Sequence, residues 1–541
     1  MRAPAGPERP HDGEEEHEVV KFIESKDVPG LIKDGDTIYS TGMMLAGLAE
    51  ESFAQIERSF LDSGHPRDLS WYFPAGQGNF KDKGMARLAH EGLVKRIVAA
   101  HYGVGGPKLS QLVRENKVEA YNWPQGVLSV IPRQVAGRRG GLFTKVGLGT
   151  FVDPREEGSK LNARATEDLV EVRELDGEEF LYFKPPKVNV GLIRGTVADE
   201  RGNITLDKEG VLMEAINIAQ AARACGGIVI AQVESIAQAG TLHPKQIKVP
   251  GILVDYIYVA EPEYHRQSEN AYFNPALNGD LKIPLHGLEP LPLDERKIIA
   301  RRAATHLTRG SVLNLGIGMA EGVAAVAAEE GVADQLTLTL ETGPVGGLPA
   351  SGHEFGHSIN PEVIVEHSLQ FDFYDGGGID MAFLGLAQAD RHGNVNVSKF
   401  GGRAVGCGGF INITQNAKRV AFLGTFTAGG LEVAVEDGKL KIIKEGKNRK
   451  LIDHVEQITF SGHYASTIRQ PVLYITERAV FRLVDDGLEL IEVAPGIDIQ
   501  RDILAHMDFV PKMDNVRQMD PALFQANWGG LKALIEQHAA A

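Results

Sequence analysis

Cysteine is nearly absent from this chain: among 541 residues only Cys225 and Cys407 occur. Two isolated thiols exclude a disulfide framework and a CxxC metal or redox pair, and they point to a reducing compartment, expected to be the cytoplasm. Long apolar runs are missing too. The segment MRAPAGPERPHDGEEEHE at the start has no apolar core of a signal peptide, and no uninterrupted apolar stretch approaches the length that spans a bilayer, so no membrane association is expected. A basic surplus is also lacking. The 56 Lys and Arg against 72 Asp and Glu leave a formal net charge of −16, interspersed along the chain, which disfavours a nucleic-acid partner. A small anion held by local donors stays compatible with that field. Several motifs are missing as well: there is no Walker lysine, no complete GxGxxG with a spaced acid, and no HExxH. His353, His357 and His367 cluster without thiolates or metal-ligand spacing, so surface or substrate-loop roles are expected for them and no metal.

What is present is an ordinary globular composition, 43% hydrophobic and 24% charged, in a chain too long for one core. The chain repeats itself. GDTIYSTGMMLAGLAEESFAQI from Gly35 matches GSVLNLGIGMAEGVAAVAAEEG from Gly310, each reading as a strand, a Gly/Met turn and an amphipathic helix. The strands that follow, DLSWYFPAGQG from Asp68 and QLTLTLETGPVGG from Gln335, set Pro74 against Glu341. VGLIRGTVADERGNITL from Val190 parallels MAFLGLAQADRHGNVNV from Met381, including an Asp-x-x-Gly-Asn turn, and GGIVIAQVES from Gly226 parallels AKRVAFLGTF from Ala417. Continuous apolar strands alternating with Ala-rich helices predict an α/β fold: two related domains with mainly parallel sheets, arisen by internal duplication. The expected layout is a disordered acidic lead-in at 1–16, a first domain at 17–280, a Pro-containing linker at 281–295, a second domain at 296–525 and a tail at 526–541.

Duplication allows one copy to keep a reactive group while the other supplies a wall. Glu341 opposite Pro74 has that asymmetry. Its carboxylate follows a buried strand, where α/β sheets bind ligands, and Gly343, Gly346 and Gly347 allow backbone N–H groups to turn toward an anion. Capping of the following turn is the plainer role for a strand-end glutamate. A second glycine cluster, VGCGGFINI from Val405, gives Gly408 and Gly409 as candidates for main-chain donors near a reacting carbonyl, with a tight turn as the alternative. Cys407, flanked by glycine and without a His or Lys activator, reads as packing. Gly316, Ile317, Gly318 and Met319 lie between a strand and a helix and are candidates to hold a phosphate or a pantetheine carbonyl.

Long blocks carry a resemblance: AYNWPQGVLSVIPRQVAGRRGGLFTKVGLGTFVDPR from Ala120, VPGILVDYIYV from Val249, QFDFYDGGGIDMAFLGLAQ from Gln370 and HGNVNVSKFGGR from His392. Over roughly Lys21 to Ala526 the chain resembles family I coenzyme A transferases, in particular the single-chain acetate/propionate group. That resemblance implies a CoA-transferase-like fold in both domains and transfer of CoA between short-chain or 3-keto acids, as in fatty-acid and ketone-body metabolism. It implies that Glu341 becomes a glutamyl-CoA thioester, that Gln125 and an amide at Gly408 or Gly409 bind the oxyanion, and that Gly316 and Gly318 lie near CoA. No cofactor beyond substrate CoA is implied, and a homo-oligomer, in this group a tetramer, is expected. Thr342 departs from the small apolar residue or proline expected beside the nucleophile, and the charged N-terminal extension is a further departure. The alternatives are an acyl-CoA hydrolase on the same site and an inactive CoA-binding protein.

Overall fold

The structure is a computed structural model that describes residues 20–284, 290–485 and 487–540. The expected lead-in at 1–16 lies outside the described residues, as do positions 285–289 of the expected linker.

Two large sheets organise the described residues. The first contains β1 (Lys21–Phe22), β2 (Thr37–Ser40), β3 (Leu69–Phe73), β4 (Val94–Ala99), β5 (Glu119–Asn122), β6 (Val190–Arg194), β7 (Ile228–Val233) and β8 (Tyr256–Val259). Their spatial order is β1-β8-β7-β6-β2-β3-β4-β5, and every neighbouring pair is parallel. Strands covered on both faces should be apolar throughout, and β6 is buried at all of its positions. The second sheet is centred on β9 (Val312–Leu315), β10 (Thr337–Thr339), β11 (Met381–Gly385), β12 (Val420–Leu423) and β13 (Val472–Ile475). These run parallel in the order β10-β9-β11-β12-β13, and strands joined antiparallel extend both edges.

The duplication holds at the level of register. Thr37 faces Ser70 as Val312 faces Thr337, and Ile38 faces Val190 as Leu313 faces Met381. Val229 faces Gly191 as Val420 faces Ala382. Each partnership joins positions that the repeated sequences align, and a slip of one residue would have turned a buried face outward. The Asp-x-x-Gly-Asn turns repeat atom for atom. Asp199 Oδ1 accepts from the N–H groups of Arg201 and Asn203 while Asn203 Nδ2 donates to Oδ2, and Asp390, His392 and Asn394 do the same. The shared strand order, β3-β2-β6-β7-β8 and β10-β9-β11-β12-β13, makes the two domains related copies.

The helices that matter for the site are α1 (Glu50–Ser63), α2 (Gln125–Ala136), α3 (Ala215–Ala224), α4 (Glu295–Ala304), α5 (Glu321–Glu329), α6 (His367–Asp375) and α7 (Phe410–Asn416). Helix α2 packs on α3 within its own domain and on α6 of the other. Cys407 and Ile411 from the second domain are buried inside the first domain's core beside Trp123, Val127 and Ile131, so the domains meet through apolar side chains rather than across solvent. The residues set aside as a tail include a helix, Leu531–Ala540, whose Leu531 and Ile535 are buried in the same apolar core as Ile298 and Ala303 of α4. Two apolar residues four apart suffice to dock it, a signal too short to stand out in an Ala-rich sequence.

Candidate active site

Glu341 follows the end of β10 in a tight turn: Leu340 N–H donates to Pro344 O at 2.9 Å and Gly343 N–H to Leu340 O at 3.1 Å. The turn is closed from outside by the segment Val363–Ile364 and the residues after it. Gly343 has φ +120°, and a Cβ there would sit 1.9 Å from Val365 O. Gly346 N–H donates to Leu338 O. The amides of Gly343 and Gly346 are therefore committed to the turn, and these glycines serve close backbone approach rather than the anion cradle expected from the sequence.

The Glu341 side chain is 8% exposed. Burial pushes its carboxyl above the ordinary glutamate range, opposed by its own N–H and by the nearby His367. It caps nothing: apart from that N–H, no donor reaches the carboxylate among the described residues. Thr342, whose hydroxyl stood out in the sequence, is fully buried and donates to Gly356 O, so it pins the following loop and leaves Glu341 alone.

The Gly408–Gly409 loop approaches from the other side. Cys407 N–H donates to Asn122 Oδ1 at 2.9 Å, Gly408 N–H to Ala100 O at 2.8 Å, and Gly408 O accepts from Gln125 N–H at 3.0 Å. Gly408 takes φ +52°. Gly409, at the N-terminus of α7, has an N–H with no partner among the described residues. A Cβ on Gly409 would lie 3.5 Å from Glu341 Cγ and 3.3 Å from Phe371 Cζ; one on Gly408 would lie 3.6 Å from Gln125 Oε1. Gln125, Gly408, Gly409 and Glu341 thus converge where the two domains touch. Burial pushes the Cys407 thiol up, and its sulfur lies 3.6 Å from Trp123 O, a packing residue.

A cavity of about 330 Å³ opens beside the turn, lined by Gly316, Ile317, Leu340, Ala350 and Phe355 with Arg296 at its side. Of the four candidate residues after β9, Gly316 and Ile317 line it. Gly318 instead accepts from Arg296 through its carbonyl and Met319 packs on the domain core. Gly316 N–H is spent on Phe383 O.

The coenzyme A transferase family profile matches residues 25–260. Over 524 residues the chain is 48% identical to caffeate CoA-transferase of Acetobacterium woodii, covering 96% of this chain and 100% of that one. This chain belongs to the coenzyme A transferase family. It is also 42% identical over 508 residues to acetate CoA-transferase YdiF of Escherichia coli K12, covering 94% of each. A crystal structure of the acyl-CoA transferase YdiF of E. coli O157:H7, a thioester complex with CoA, superposes with a TM-score of 0.88 at 41% identity over 95% of this chain and 97% of that one.

In this CoA transferase the histidine cluster differs from expectation. His353 is exposed, but His357 and His367 are buried, and burial lowers His357 to about 4. His367 Nε2 lies 3.0 Å from Gln125 Nε2, and its Nδ1 is hydrogen-bonded to Glu214. Asn412 is a further contributor that the sequence did not single out: its Oδ1 accepts from Gly126 N–H at 3.1 Å, while its Nδ2 donates to Asp375, whose carboxyl burial lifts to about 7. These partners lie far apart in the chain, which is why spacing could not reveal them. Another opening, about 550 Å³, is lined by Glu24, Glu51, Glu200 and Glu261 and repels an anionic ligand.

Proposed function

We propose that this transferase moves CoA from a short-chain acyl-CoA to a carboxylate such as acetate or propionate through a glutamyl-CoA thioester on Glu341. The observation that carries the reading is the meeting of a buried, uncapped carboxylate with the Gln125 amide and the uncommitted N–H of Gly409. Glu341 attacks the acyl carbonyl, and the tetrahedral adduct collapses to a mixed anhydride with departure of CoA thiolate. The thiolate attacks the glutamyl carbonyl and the first acid leaves as carboxylate. An incoming carboxylate reverses both steps and takes the acyl place. Every leaving group departs as an anion and returns as one, so no net proton transfer is needed and stabilising the oxyanion is the main task. Each preorganised donor is worth about 3–4 kcal/mol of barrier. Of the two glycines, Gly409 fits the donor role because Gly408 N–H is already engaged. The cavity at Gly316 and Ile317 would receive the pantetheine arm, adjoining Leu340.

The relative at 48% identity supports a second reading in which the acceptor is an aromatic acid of the caffeate kind. Initial rates with acetyl-CoA and a panel of acetate, propionate, a 3-keto acid and caffeate distinguish them. The reading expects acceptor-dependent transfer that a Glu341→Gln variant loses; steady acyl-CoA loss without any acceptor would replace it with a hydrolase, and no turnover with a binding protein. A closed homo-oligomer, a tetramer, belongs to the same reading, and light scattering that returned a monomer would remove it.

A further inference from the structure

Behind Gln125 the two domains exchange contacts that the transfer steps leave unused. Glu214 immediately precedes α3 in the first domain and His367 opens α6 in the second; both are wholly buried. Their backbones are tied, since His367 N–H donates to Leu212 O at 2.8 Å. His367 Nδ1 is bound to Glu214 Oε1, and Nε2 faces Gln125 Nε2 at 3.0 Å. Chemistry fixes the roles. An amide nitrogen only donates, so His367 must offer a lone pair at Nε2, and its proton then sits on Nδ1, where the Glu214 carboxylate receives it. One N–H of Gln125 is spent on the ring, and the planar amide directs the other at a set angle. With the proton on Nε2 instead, Gln125 would have to turn Oε1, which now lies toward Gly408, to the ring and carry its NH2 to the Gly408 side. Glu214 Oε2 has no hydrogen-bond partner, so among the described residues His367 is the one group hydrogen-bonded to the carboxylate.

We propose that Glu214 and His367 are positioning residues: Glu214 selects the imidazole tautomer, and His367 thereby selects the face of the Gln125 amide presented to the developing oxyanion. The inference rests on the reading of Gln125 as an oxyanion donor. Because Gln125 and Glu214 come from one domain and His367 from the other, the arrangement exists only when the domains are docked, and it couples their closure to the orientation of the donor.

The test is a double-mutant cycle on the full chain, reading the single-turnover rate of covalent CoA attachment at Glu341, with KM for acyl-CoA and Tm measured alongside. Glu214→Gln, which keeps size but no longer dictates the tautomer, is expected to slow attachment by roughly 10- to 100-fold, the usual loss when the partner that orients a reacting group is removed. KM should move by no more than about 2-fold. In a Gln125→Ala background the same substitution should change the rate by less than about 2-fold, the limit of independent effects. His367→Gln, able to turn an amide oxygen toward Gln125, should retain more rate than His367→Leu, and this pair decides the matter should Glu214→Gln fold poorly. An undiminished Glu214→Gln loss in the Gln125→Ala background, or a parent-like rate in Glu214→Gln, overturns the positioning role while leaving the nucleophile intact. A parent-like rate in Gln125→Ala removes the donor reading and the inference with it, whereas absence of attachment in the parent chain removes the proposed mechanism itself.

Discussion

A buried carboxylate acts as a nucleophile only while it is ionised, and Glu341 is held where ionisation is disfavoured. With its carboxyl raised by burial, the rate of attachment should climb with pH along an acid limb whose midpoint lies above the ordinary glutamate value of about 4.3. A pH profile of single-turnover attachment measures it, and a midpoint at or below the ordinary value would contradict the burial. The linkage has a definite sign. The folded state binds this proton more tightly than the unfolded chain, so the group costs stability as pH rises from the unfolded value through the folded one. Glu341→Gln should therefore be inactive yet have a Tm at pH 7 equal to or above that of the parent, a trade of stability for function at one residue. Gly409 makes the complementary case. A methyl there meets atoms no closer than 3.3 Å, so Gly409→Ala should fold with a nearly unchanged Tm. That methyl would press on Phe371 Cζ at 3.3 Å and touch Glu341 Cγ at 3.5 Å, so a small shift of the loop would move the Gly409 N–H, and kcat is expected to fall by at least about 10-fold, the scale of a displaced oxyanion donor. At this scale the sequence marks Glu341 and the glycine pair by local pattern, and Gln125 only through its resemblance to coenzyme A transferases. It hides Glu214, His367 and Asn412, whose meaning exists only in contacts between remote segments.

The elements themselves were largely legible. The strands and their correspondence between the two halves follow from repeated apolar patterns, and the twin Asp-x-x-Gly-Asn turns are local hydrogen-bonded units that short sequence specifies. The turn after β10 was legible in position but not in purpose. Its glycines were expected to aim amides at an anion, yet Gly343 is demanded by the passage of Val365. Gly343→Ala must accept both a left-handed φ and a backbone clash, so it should lower stability by more than about 2 kcal/mol and displace Glu341. Thermal unfolding together with kcat checks it; a parent-like value in both would mean the turn is looser than it stands here.

Across the whole molecule, the active site is a property of two docked copies. The proposed nucleophile Glu341 belongs to one domain and Gln125 to the other, while the first domain's counterpart of Glu341 is Pro74. Duplication makes such a division of labour possible. It could not predict the contact that enforces it: Gly126, within α2, lies so close to the second domain that a Cβ would come 2.3 Å from Asn412 Nδ2 and 2.7 Å from Phe371 Cδ1. Gly126→Ala should leave each domain's core intact but wedge the interface, costing about 1–3 kcal/mol of stability and slowing attachment. Circular dichroism, Tm and single-turnover rates report it, and an unaltered rate would show that domain docking does not govern the chemistry.

The central claim is that Glu341 carries CoA covalently. Peptide mass spectrometry after adding acetyl-CoA or propionyl-CoA without an acceptor acid tests it most directly. The account predicts CoA in thioester linkage on the peptide containing Glu341, discharged when acetate is added; steady consumption of acyl-CoA with no adduct, or an adduct on any other residue, would contradict it.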